Sequence, residues 1–286
     1  MLKLQQGRSL KEFSTFGIGG KVYLFAEIFS ISQMQEAFQW IRKENLPFFI
    51  LGKGSNCLFS DLGFNGLVLL NKMDGCQWKQ DRVIVESGYS FSLLGIQSAR
   101  KKMSGLEFAS GIPATVGGAV FMNAGASGSE TCRPLESVDF LHLEGDIVHY
   151  PKEQLEFGYR FSSFQQKQGA ILSAVFAFQE LEEARKRQLA IIEKRVNTQP
   201  YQDKSIGCIF QNPRPTISAG KLIDGCGLKG FKVGGIQISP LHANFMINVG
   251  GASAKDVLEM IHIVQQRVFQ ETGHLLKPEI RVIEPS

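Results

Sequence analysis

Cysteine is scarce in this chain, and what there is shows no pairing pattern. The five residues, at 57, 76, 132, 208 and 226, are an odd number and form no Cys-x-x-Cys pair. That argues against a disulfide framework or a zinc site and for a reducing compartment. Membrane-length apolar runs are absent, and the opening MLKLQQGRSLKEFSTF lacks the apolar stretch of a secretory signal. There is no low-complexity tract and no internal repeat. Neither sign of charge dominates: 31 Lys and Arg against 27 Asp and Glu leave +4, spread along the chain. So small an excess does not imply nucleic acid, although it suits a small polyanion. No His, Cys and carboxylate cluster has ligand spacing, so no metal is expected. These absences leave a cytoplasmic globular protein, expected as a monomer without membrane insertion.

What is present is enough for two or three compact units in 286 residues. KVYLFAEI reads as a strand. SISQMQEAFQWIRKENL follows with a Ser cap and Met34, Ala37, Phe38 and Ile41 at helical spacing. PFFILG and GLVLL are short apolar strands, giving βαβ grammar with a glycine loop at a strand end. The middle third reads differently. RVIVESG is a strand, SFSLLGIQSARKKM a helix, SVDFLHLEGDIVHY a hairpin turning at Glu144, Gly145 and Asp146, and GAILSAVFAFQ a further strand. A charged helix is expected over 181–197, then two strands in GGIQISPLHANFMINVG and an amphipathic helix near 253–271. The fold class expected is α+β. Its parts are 1–70, 71–190 and 191–279, and the alternating strand at 280–286 is free to return to the first.

Two loops invite chemistry. In ILGKGSN, Gly52 and Gly54 allow a sharp turn that exposes N–H groups, and Ser55 and Asn56 add side-chain donors. The loop is neither a P-loop nor a dinucleotide fingerprint, and alone it reads best as a plain turn. SGIPATVGGAVFMNAGASG is more unusual, with Gly111, Gly117, Gly118, Gly125 and Gly128 among apolar residues. It suits either close helix–strand packing or a flat cofactor lying on the backbone, and a nucleotide cofactor held by both loops would account for the pair. Three chemical residues lie in separate segments. Arg160 sits among aromatics in FGYRFSSF and either stacks on them or serves as a fixed cation. Cys208, in DKSIGCIFQNP, is either a small core hydrophobe or a proton-bearing thiol. Glu279 opens the apolar strand of KPEIRV, with Arg281 two residues on. Spacing alone does not bring these three together.

Taken in order, STFGIGG, ILGKGSNCLFSDLGFNGLVL, GLEFASGIPATVGGAVFMNAGA, FGYRFSSF, GCIFQNP, SAGKLIDGCGLKG, HANFMIN and KPEIRVIE resemble the UDP-N-acetylenolpyruvoylglucosamine reductase family. The likeness runs from about residue 13 to the C-terminus. It implies an FAD-binding fold of the vanillyl-alcohol-oxidase type in two subdomains, closed by a C-terminal α+β substrate domain. It implies non-covalent FAD and NADPH as co-substrate. The reaction implied converts UDP-N-acetylglucosamine enolpyruvate to UDP-N-acetylmuramate for peptidoglycan. By this resemblance Gly52, Gly54, Ser55 and Asn56 lie near the flavin pyrophosphate. Ser110, Gly111, Ile112 and Pro113, with Gly117, Gly118, Asn123 and Gly125, follow the pyrophosphate and the isoalloxazine. Tyr159 and Asn212 face the substrate. The same resemblance makes Arg160, Cys208 and Glu279 the catalytic set: hydride comes from N5 of reduced FAD, a proton from Cys208, and the enolate is stabilised by Arg160 and Glu279.

Two departures from the family pattern stand out. Cys208 replaces the commoner Ser, keeping a proton-bearing group that is the better acid, and Gln211 stands where Lys is frequent. The short stretch between Arg160 and Cys208 marks the compact subtype. The rivals are an FAD-dependent sugar or alcohol oxidase of the same fold, a thiol hydrolase pairing Cys208 with His242 or His274, and a non-catalytic binding module. The first Gly loop lacks the His that commonly tethers flavin in such oxidases. A hydrolase leaves both glycine loops unexplained, and a binding module has no use for the Arg, Cys and Glu.

Overall fold

The computed structural model describes residues 2–285. By their contacts they form two compact units. One comprises the residues up to Gln5 with Phe25–Lys53 and Gly66–Arg195; the other comprises Gln6–Leu24, Gly54–Asn65 and the chain from Val196 onward.

In the first unit, helix Ile31–Glu44 starts where the Ser30 hydroxyl accepts from Gln33 N–H. It ends where Asn45 takes the left-handed conformation that closes a helix. The buried face is Met34, Ala37, Phe38 and Ile41, the stripe its spacing predicts. Strand Phe48–Leu51 pairs in parallel with Phe64–Asn71, register Phe48↔Leu67 to Leu51↔Leu70. The latter strand is buried at nearly every position, which explains its unbroken apolar run. An antiparallel sheet of five strands runs in the order Ile147–Pro151, Leu135–His142, Gly169–Ala177, Arg82–Glu86, Cys76–Lys79. Its first pair is the expected hairpin. Helices Phe91–Arg100 and Val116–Phe121 share a core with this sheet, in which Phe91, Leu94, Phe108, Val120, Phe140 and Phe176 are each at most 2 % exposed.

The second unit is built around helix Ala254–Thr272. Ser253 and Asp256 form a reciprocal capping box at its start, and Asp61 accepts from the N–H groups of Ala254 and Lys255. Val257, Met260, Ile261, Val264 and Val268 of this helix join Phe16, Ile18, Leu58, Ile206 and Phe210 in one core. Strands Lys232–Val233, Ile236–Ile238 and Met246–Asn248 form an antiparallel sheet. The terminal strand Arg281–Ile283 lies parallel to Cys57–Phe59, a return to the N-terminal third that an isolated apolar strand requires. Segments 6–24 and 54–65, continuous in sequence with the first unit, therefore belong by contact with the C-terminal third. Thr15 Oγ1 donates to Ser205 O at 2.6 Å, and Asn248 Nδ2 donates to Phe16 O at 2.9 Å. Helix Ala184–Thr198, expected as a connector, carries the chain across the boundary at 195. No helix among the described residues is long and apolar enough to cross a membrane.

Candidate active site

The glycine-rich run of the first unit folds around one threonine. Thr115 caps helix Val116–Phe121, its Oγ1 accepting from Gly118 N–H at 3.2 Å. A Cβ added to Gly52 would lie 2.5 Å from that same oxygen, so only glycine lets the first loop come so close. Gly117 N–H donates to Ser87 O at 2.8 Å. Gly52 and Gly118 are thus brought together at Thr115, a residue the sequence reading passed over, although a threonine just ahead of a Gly-Gly helix start is an N-cap signal. Close by in sequence, the short turn Glu107–Gly111 buries Ser110 and Gly111, leaves Ile112 half-buried and exposes Pro113. Ser110 Oγ is the one buried side-chain polar atom among the described residues that has no hydrogen-bond partner. An unpartnered buried hydroxyl in this glycine-rich run fits a flavin nucleotide, whose phosphates accept hydrogen bonds.

Gly54, Ser55 and Asn56 belong to the second unit. Gly54 has φ +63°, and a Cβ there would lie 2.0 Å from Phe13 O. The Asn56 amide donates to Glu279 O at 3.4 Å, and its backbone carbonyl accepts from Arg281 N–H at 2.9 Å. Asn56 thus holds the segment that leads from Glu279 into the strand Arg281–Ile283.

Arg160 occupies a two-residue hairpin turn. Phe157 pairs with Ser162 and Gly158 with Phe161, leaving Tyr159 and Arg160 at the tip. Arg160 has φ +58°, a left-handed conformation that arginine rarely adopts. Its Nη2 donates to Gly125 O at 3.1 Å, and its guanidinium lies 4.8 Å from the Tyr159 ring centroid. Tyr159 itself is exposed. Asn123, expected at the cofactor, is fully buried. Its Nδ2 donates to Gly158 O (2.9 Å) and Glu130 Oε2 (3.3 Å), and its Oδ1 accepts from Cys132 N–H at 3.0 Å. Through its amide Asn123 anchors the Arg160 hairpin.

Cys208 and Glu279 lie on adjacent segments of the second unit. Gly207, at φ +81°, turns the chain into Cys208, which pairs antiparallel with Phe245. Glu279 N–H donates to Ile209 O at 2.7 Å and Gln211 N–H to Lys277 O at 2.9 Å, bracketing a Phe210–Pro278 bridge. Pro278 takes the position where no N–H is needed. Cys208 and Glu279 are both half-buried, so Cys208 is not a sealed core thiol. The other four thiols are all pushed above their ordinary range, first of all by burial, Cys57 to about 11 despite the opposing pull of Arg281. Asn212 is exposed, and its Oδ1 accepts from Ala219 N–H at 3.0 Å, capping helix Ala219–Gly225. Among the described residues no three His, Cys, Asp or Glu side chains converge on a metal position.

Residues 24–150 match the family described as FAD binding domain, and the α+β architecture is that of an FAD-binding flavoprotein. Residues 199–283 match UDP-N-acetylenolpyruvoylglucosamine reductase, C-terminal domain. The chain is 51% identical over 276 residues to the UDP-N-acetylenolpyruvoylglucosamine reductase of Protochlamydia amoebophila, covering 96% of this chain and 92% of that one. It is 48% identical to the enzyme of that name from Chlamydia muridarum, covering 98% and 94%. The crystal structure of UDP-N-acetylenolpyruvylglucosamine reductase from Thermus caldophilus superposes with a TM-score of 0.84 at 35% identity, covering 99% of this chain and all of that one. The chain belongs to the UDP-N-acetylenolpyruvoylglucosamine reductase family.

Proposed function

We propose that this chain reduces the enolpyruvyl group of UDP-N-acetylglucosamine enolpyruvate to D-lactyl, giving UDP-N-acetylmuramate for peptidoglycan with NADPH as reductant. Near-50% identity over almost the whole chain to proteins of that name carries the reading. The chemistry FAD supplies when bound is hydride transfer from NADPH to the terminal carbon of the substrate. The residues that would hold it are Gly52, Ser110, Gly111, Gly117 and Gly118, which offer bare backbone and one waiting hydroxyl. Cys208, Arg160 and Glu279 serve the substrate.

The enolpyruvyl group is a vinyl ether conjugated to a carboxylate. When hydride adds to its CH2, negative charge spreads over C2 and the carboxylate. A guanidinium held by its own backbone turn and by Gly125 O stabilises that charge without reorganising. The Cys208 Sγ–H then gives its proton to C2, and the bond it forms sets the stereocentre. Glu279, whose backbone is tied to Ile209 beside Cys208, polarises the same carbon as an acid or a hydrogen-bond partner. Hydride and proton together add one H2 across the double bond, and the thiolate is reprotonated from solvent. Tyr159 and Asn212 flank the substrate. The working state proposed is a cytoplasmic monomer with a nucleotide sugar and NADPH as partners and no nucleic acid. The flavin-domain parts are 1–70 and 71–190, and the substrate part is 191–279.

The test is anaerobic mixing of the flavin-loaded protein with NADPH and then with the enolpyruvyl substrate, following the visible flavin band. Bleaching and substrate-dependent recovery are expected. Cys208→Ser retains recovery, and Cys208→Ala bleaches normally but recovers at least about tenfold more slowly. Bleaching without recovery in the unaltered protein would point to the oxidase of the same fold. Full-speed recovery in Cys208→Ala would remove the thiol from the mechanism.

A further inference from the structure

The segment carrying Cys208 lacks a backbone partner at one place, and a side chain supplies it. On one side Ile209 N–H donates to Asn244 O at 2.9 Å; on the other, Ile209 O and Gln211 N–H are taken by Glu279 and Lys277. Phe210 remains; those two bonds flank its pairing with Pro278, so its own N–H and C=O point away from that segment. Both backbone groups of Phe210 are met by the carboxamide of Asn244. Its Oδ1 accepts from Phe210 N–H at 3.0 Å, and its Nδ2 donates to Phe210 O at 2.8 Å. Asn244 is 4 % exposed and Phe210 1 %, so water does not compete. An amide side chain presents one acceptor and one donor in the fork a peptide group would. Asn244 N–H in turn donates to His242 Nδ1 at 3.2 Å, fixing the loop from which the amide projects.

An apolar core needs burial at this position, not a matched donor and acceptor. What the clamp adds is direction. It fixes the two peptide planes on either side of Phe210, the nearer of which joins it to Ile209, the neighbour of Cys208, and the orientation of a proton donor depends on the backbone that carries it. We propose that Asn244 is the positioning residue for proton delivery by Cys208, holding the thiol in line with C2. This inference rests on the reading that Cys208 is the donor.

Asn244→Asp tests it. The neutral acid is isosteric with the amide, its C=O accepting from Phe210 N–H and its O–H donating to Phe210 O, whereas the carboxylate has no donor and repels that carbonyl. Burial raises the pKa of such a group. The titratable neighbours, His242, Cys208 and Glu279, are the same in the parent protein, so the rates are taken as variant over parent at each pH. The expected result is a ratio for flavin reoxidation by substrate that falls at least about tenfold between about pH 5.5 and pH 8.5. The ratio for flavin reduction by NADPH stays within about twofold over that range. A flat reoxidation ratio, or equal losses in both half-reactions, would overturn the positioning role. In a Cys208→Ala background the pH-dependent loss should disappear, because the two residues act as one unit. If Cys208→Ala alone reoxidises at full rate, the donor assignment fails, separately from the clamp. If Asn244→Asp does not retain flavin, Asn244→Gln, which carries the same groups one methylene further out, replaces it. It should slow reoxidation at least about tenfold with reduction intact, and equal losses would again overturn the proposal.

Discussion

Replacing Ser110 with alanine should move stability in opposite directions with and without flavin. The Oγ of Ser110 is buried with no partner, and an orphaned buried hydroxyl costs about 1–3 kcal/mol. Ser110→Ala removes that penalty and one atom, so the flavin-free protein should gain about 1 kcal/mol. For a chain of this size that is a rise of about 2–4 °C in Tm. On the proposed reading the hydroxyl would donate to an anionic oxygen of bound flavin, a bond contributing about 1.5–3 kcal/mol. Its loss should raise the FAD dissociation constant about 10- to 100-fold, and the Tm of the loaded protein should fall below that of the parent at equal FAD concentration. Thermal unfolding of the stripped and loaded forms, with an FAD titration followed by flavin fluorescence, measures both signs. A stripped variant less stable than its parent, or an unchanged FAD affinity, would refute the reasoning that Ser110 is held in reserve for the cofactor.

Arg160→Asn should separate fold from chemistry. Asparagine tolerates the left-handed turn that strains Arg160 by about 1 kcal/mol, which offsets about 1 kcal/mol for the lost bond to Gly125 O. The denaturant midpoint should barely move, while reoxidation by substrate falls at least about 100-fold. A loss of more than about 3 kcal/mol would show that the side chain serves the fold. Asp256 is held below its ordinary pKa, chiefly by the backbone N–H of Ser253. Its contribution is therefore present above the unfolded carboxylate value and lost as pH falls through the lower folded one. Asp256→Ala should cost about 1 kcal/mol near pH 7, and the difference from the parent should shrink below about pH 4 in equilibrium unfolding.

Much of this protein could be read in one dimension. The Ser30 cap, the buried stripe at Met34, Ala37, Phe38 and Ile41, the 135–151 hairpin and the terminal strand all follow from local spacing. Hydrophobic periodicity and capping chemistry act within a few residues, where sequence distance and spatial distance agree. The ordered motifs likewise sufficed to indicate the family and its flavin.

Only the tertiary structure decided which backbones particular polar side chains hold in place. The amides of Asn123 and Asn56 fasten the backbones of Gly158 and Glu279. Thr115 and Asn244 drew no attention, yet one draws Gly52 and Gly118 together and the other completes the strand of Cys208. Segments 6–24 and 54–65 joined the C-terminal third for the same reason. A buried polar group must find its partner wherever the fold brings one. For Asn244 that partner is 34 residues away and for Asn56 it is 223, and no local pattern records such distances.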